Sequence, residues 1–122
     1  MDQVFAKKEA LTKLLEVAKA EHVAKRFKME SWAQETNCGM TCCLGGIAAK
    51  LFPEKLELVY VGKLIDGVIM YALKSAENSW ITGITAFSLA FNIPLEDAKW
   101  LTNGDKMEDE ALDDLERYIE KL

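Results

Sequence analysis

Cys38 and Cys42 stand four residues apart, Cys43 follows directly, and a single histidine, His22, lies upstream. On a helix the first two thiols would share a face, as zinc ligands do. A structural zinc takes about four ligands, however, and only His22 is on offer as an addition. A thiolate at a helix N-terminus is a nucleophile, and Cys38 stands where such a helix would begin, again with only His22 to serve as base. The third chemistry is none at all, because free cysteine usually behaves as a small buried hydrophobe. Residues 37–49 pack three cysteines and three glycines into one stretch that follows Trp32. Small residues at that density let one backbone press on another. The group Trp32, Cys38, Gly39, Cys43, Gly45, Gly46 and Ala48 therefore reads as the tight centre of a core, with His22 a core-edge histidine. No paired histidine, phosphate-cradling glycine loop, metal signature or nucleophile–base pair occurs in the chain. The expectation is a protein that is not an enzyme and that holds no metal and no cofactor.

The elements that must position this segment follow from periodicity. Val4, Leu11, Leu14, Leu15 and Ala18 repeat at helical spacing and predict an amphipathic helix over 4–27. Residues 28–37 read as a loop that tucks Met29 and Trp32 inward, and 38–52 as a second helix stopped by Pro53. Two β-rich runs, 58–61 and 68–71, flank Asp66-Gly67, a preferred hairpin turn. Helical spacing fits the same stretch, but its glycines and β-branched residues favour a hairpin over 58–72. Asn78 or Ser79 caps a helix over 80–91, ended by Asn92. Pro94 opens a short helix that stops at Asn103-Gly104. A last helix spans 106–122, with Leu112, Leu115, Tyr118, Ile119 and Leu122 inward. The expected fold is mainly α: one compact domain, residues 1–122, of about five helices with at most one small β-hairpin.

Two resemblances are carried by particular residues. Arg26-Phe27-Lys28-Met29-Glu30-Ser31-Trp32, then Cys38-Gly39 and Cys43-Leu44-Gly45-Gly46-Ile47-Ala48, resemble a motif of small phage and prophage proteins. In that group FxMxxW precedes CGTxxCIAGxA, and an AxxLLGL-like element follows, matched loosely here by 86–93 and 98–102. Met40 stands where the group has threonine, and Leu44-Gly45 replaces its Ile-Ala pair. The resemblance implies a phage-associated origin and a compact fold, and no catalytic residue. Residues 86–104 are also similar to the helix-turn-helix of phage-repressor-like proteins, whose second helix enters the major groove. Here that helix opens on Glu96 and Asp97, carboxylates that phosphates repel.

Charge narrows the remaining classes. Half of the 122 residues are hydrophobic and 29% are charged, as in ordinary globular proteins. No apolar run is long enough to span a bilayer, and no signal-like segment opens the chain. An odd cysteine count argues against a secreted disulfide framework. The expected compartment is therefore the cytoplasm, that of a bacterial host if the protein is phage-encoded. Residues 1–104 hold twelve acids and twelve bases, so the net charge of −5 arises wholly in residues 105–122. The lone basic cluster, Lys25-Arg26-Phe27-Lys28, is too small for a nucleic-acid groove and suits a helix C-terminus. Glu108, Asp109, Glu110, Asp113, Asp114 and Glu116 are expected to face outward from the last helix. They read either as a solvated face or as a negative stripe that docks on a basic protein. The function expected from the sequence is that of a small acidic phage-type accessory protein. It would bind, and so inhibit, a host defence or nucleic-acid-handling protein. Alternatives are a helix-turn-helix DNA reader and a cysteine-based redox or metal module.

Overall fold

Phe27, expected to close the first helix, instead leaves it and becomes part of the core. In the computed structural model, which describes residues 7–29, 31–36 and 39–122, α1 spans Lys7–Val23. The chain then turns through Lys25 at a positive φ of 64°. It then runs extended, and Arg26 and Lys28 exchange backbone hydrogen bonds with Cys42. This turn seats the Phe27 ring at 1% exposure against the edge of His22.

The expectation of a mainly α fold is overturned. The domain is α+β, with a four-stranded antiparallel sheet of order β2-β1-β4-β3. The strands are β1 (Ala33–Thr36), β2 (Gly39–Cys42), β3 (Leu56–Lys63) and β4 (Ile69–Ser75). β3 and β4 form the expected hairpin, longer at both ends, with a bulge between Tyr60 and Gly62. β1 falls in the stretch read as loop, and β2 in the first turn of the expected second helix. Neither has the apolar alternation that marks a strand by itself: of Ala33, Gln34, Glu35, Met40, Thr41 and Cys42, only Ala33 and Cys42 are buried. They become strands by pairing with each other and, through β1, with β4 (Ala33↔Tyr71, Glu35↔Ile69). Tertiary pairing here overrides local preference.

The second helix is therefore short: α2 spans Leu44–Leu51, and every residue from Leu44 to Ala49 is buried. A helix that is apolar all round belongs inside. α2 packs against β2, β3 and β4 and also against α1. α3 (Gly83–Phe91) lies on β4 and begins later than expected. The preceding residues first pair with the end of β4: Ser75 donates to Ile81 O, and Thr82 bridges Lys74. Asn78 caps no helix; its side chain accepts from Trp80 N within the loop. Asn92 ends α3 in the left-handed conformation (φ 54°), as its position suggested. α4 (Leu95–Leu101) follows Pro94, and α5 (Glu108–Glu120) returns along α1. Among the described residues no helix is long and apolar enough to cross a membrane.

Candidate functional site

The glycine–cysteine segment forms the junction between sheet and helices. Cys43 N donates to Trp32 O (3.2 Å), pinning the start of α2 to the start of β1. The Trp32 ring then lies over Gly45. A Cβ added there would overlap the ring, and one on Gly46 would overlap Trp32 O and stand 2.8 Å from Cys42 Cβ. Trp32, Cys43, Gly45, Gly46 and Ala48 are thus brought together. Gly39 opens β2, and Cys38 lies outside the described residues.

The described thiols are poor nucleophiles. Cys42 and Cys43 are each 2% exposed. Burial pushes Cys42 up against the opposing pull of Lys50, and burial pushes Cys43 up to about 11. At pH 8 only about one Cys43 in a thousand is thiolate in the folded protein. In a Cys38→Ser variant we expect native protein to resist a disulfide reagent and to react fully only after unfolding. Rapid labelling of the folded variant would contradict this. Stability has a matching pH dependence. The unfolded Cys43 ionises near its ordinary value of 9 and the folded one near 11, so its contribution is complete below pH 9 and is lost as pH rises through 11. The expected slope is about 1.4 kcal/mol per pH unit, read as a falling denaturation midpoint. Among the described residues no three His, Cys, Asp or Glu side chains stand close enough to hold a metal.

His22 meets an acid rather than a thiol. Its Nε2 lies 2.7 Å from Asp109 Oδ1, and since a carboxylate only accepts, Nε2 carries the proton. This contact belongs to a seam that fastens α5 to α1 and to the chain after it. Glu108 accepts from Met29 N (3.0 Å), and Glu116 pairs with Lys19 (3.6 Å). Asp109 and Glu116 remain exposed while doing so, and Glu108 is half-buried. Glu110 and Asp113 are exposed and make no ion pair among the described residues.

Asp114 does not face outward as expected. It is 6% exposed and pairs with the equally buried Lys106 at 2.8 Å. Lys106 Nζ also donates to Trp100 O and lies 4.1 Å from the Trp100 ring centre. The reason is helical spacing: Ala111, Asp114, Leu115 and Tyr118 share the inner face of α5. Beside this clasp, Tyr118 donates to Asp97 Oδ2, tying α5 to α4; burial and the Asp97 carboxylate push the phenol up to about 12. The acidic stripe is therefore largely an internal fastening. Glu110 and Asp113 are what it leaves for a partner.

Sequence reasoning passed over the surface that stands out. β3 is an edge strand, hydrogen-bonded to β4 on one side and to no strand on the other among the described residues. Tyr60 is 61% exposed and Val61 64%, while Leu64 and Ile65 at the turn are also exposed. The opposite edge differs, because the 26–28 segment covers part of β2. The usable signal was the uninterrupted run Leu58-Val59-Tyr60-Val61, too apolar for a strand wet on one face. α4, the second helix of the helix-turn-helix-like unit, exposes Leu95, Glu96, Lys99 and Trp100, a set with one cation.

No family model, curated protein or solved structure matches this chain.

Proposed function

We propose that this domain works by binding a protein partner that adds an extended segment to the open edge of β3. The observation that carries this is the outer edge of Leu56–Lys63, which pairs with no strand among the described residues, with Tyr60 and Val61 exposed, next to an exposed Leu64-Ile65 turn. An open edge offers a row of N–H and C=O groups, and folds normally blunt such edges with charge, proline or bulges. This one has a bulge at Val61, with Glu57 and Lys63 toward its two ends. Its centre is apolar. Strand addition takes affinity from the backbone and specificity from alternate side chains, which suits an apolar extended segment.

A second copy of the chain fits less well. Antiparallel self-pairing about Tyr60 would bring Glu57 opposite Lys63. Across the bulge, however, Glu57 aligns with Lys74 and Lys63 with Ile69, on opposite faces of the sheet. The partner we favour is a different protein. The resemblance to phage proteins points to a bacterial host component concerned with defence or nucleic acids, bound rather than chemically altered.

Three tagged baits test this in a bacterial lysate at low and high salt, read by quantitative mass spectrometry. They are the unaltered chain, Val61→Lys/Ile65→Lys, and Glu110→Lys/Asp113→Lys. Asp114 is left unchanged, since reversing it would break the core. We expect one enriched protein to be kept by the acidic-face variant and lost from the edge variant at both salts. Loss from the acidic-face variant alone, with binding weakened by salt, would move the interface to α5. Retention on duplex DNA would favour the helix-turn-helix alternative.

A further inference from the structure

Asn103-Gly104, which the sequence marks as the stop after α4, is also the one Asn-Gly pair in the chain. Both residues are exposed, in the turn between α4 and α5. Asp105 N donates to Asn103 Oδ1 at 2.9 Å, and Lys106 N donates to Asn103 O at 3.2 Å. The side chain is thus folded back over its own backbone. Among the described residues the Gly104 N–H donates to no acceptor. Gly104 also has no Cβ to obstruct approach to that nitrogen.

We propose that Asn103 is a self-modification site, at which a neutral amide becomes a carboxylate without an enzyme. The Gly104 nitrogen, having lost its proton to solvent, attacks Asn103 Cγ. Negative charge collects on Oδ1, where the Asp105 N–H already donates, the arrangement that stabilises a tetrahedral intermediate. The Cγ–Nδ2 bond then breaks, nitrogen leaves as ammonia, and a five-membered succinimide remains. Water opens this ring at either carbonyl to give aspartate or isoaspartate. One water is consumed and one ammonia released, with no change of oxidation state. The product carries one more negative charge, two residues before the segment 105–122 that already holds the whole net charge. The isoaspartate form also adds a backbone methylene just before the buried Lys106.

The other described asparagines serve as internal references. Asn78 makes the same turn, accepting from Trp80 N, but Ser79 follows it and carries a Cβ. Asn92 precedes Ile93, whose nitrogen is buried and donates to Ser88 O. The folded protein, incubated at mildly alkaline pH and sampled over days, is mapped by peptide mass spectrometry with an isoaspartate-specific label. We expect Asn103 to convert about tenfold faster than Asn78, since only glycine leaves the attacking nitrogen unhindered, and Asn92 to stay intact. Ion-exchange chromatography should show a growing acidic species, and Asn103→Gln should remove most of it. Asn103 remaining intact, or converting no faster than Asn78 in the same sample, would overturn the proposal.

Discussion

Asp114→Ala lowers stability by about 3 kcal/mol or more, the range found when one partner of a buried ion pair is removed. The loss comes less from the missing attraction than from the charge left behind. Lys106 Nζ would keep its bond to Trp100 O and its place over the Trp100 ring, but no anion would balance it in a site 9% exposed. Arg117, 3.5 Å from the other Asp114 oxygen, cannot compensate, since it too is a cation. Replacing both partners, as Lys106→Met/Asp114→Leu, should recover most of the loss, because apolar groups of similar volume often replace a buried pair at no net cost. Asp113→Ala, one residue away and exposed, should stay within about 0.5 kcal/mol of the parent. Denaturant midpoints at constant slope check all three. Equal effects at 113 and 114 would mean that the clasp is not formed.

Gly46→Ala is expected to cost about 1–3 kcal/mol, even though alanine is the better helix former by about 1 kcal/mol. The added methyl would strike Trp32 O and press on Cys42 Cβ. A backbone oxygen cannot rotate aside, so β1 and β2 must move off α2. Gly45→Ala meets the Trp32 ring instead and should cost less if that half-buried ring can tilt. Gly62→Ala reverses the sign. Nothing lies within 4 Å of its Cβ position, so the change should be neutral or stabilising by up to about 1 kcal/mol. A ranking in which Gly46→Ala is harmless would remove the close approach on which the core depends.

These residues also show where sequence reasoning reached and where it stopped. The density of glycine and cysteine in 37–49 was readable as close packing, because small residues have few other uses in a core. The surface that they press against was not readable. Trp32 directly precedes a strand whose own sequence, Ala33-Gln34-Glu35-Thr36, carries no strand signal. Its partner in β4 lies far along the chain. The β3–β4 hairpin was legible because a local turn, Asp66-Gly67, sets it, with Asp66 Oδ1 accepting from Val68 N. Counting outward-facing acids failed at Asp114 because its cation, Lys106, precedes α5 and no rule of spacing within a helix pairs the two. The run Leu58-Val59-Tyr60-Val61 was readable as unusually apolar, but not as an open edge, since an edge is defined only once the strand order is known.

The central claim is that a partner strand occupies the outer edge of β3, and amide hydrogen exchange on the complex with the captured protein tests it most directly. The account predicts slowed exchange concentrated in Leu56–Lys63 on binding, with α5 unchanged, because new backbone hydrogen bonds protect the amides that donate them. Protection confined to α5, or binding with no change in β3, would contradict it.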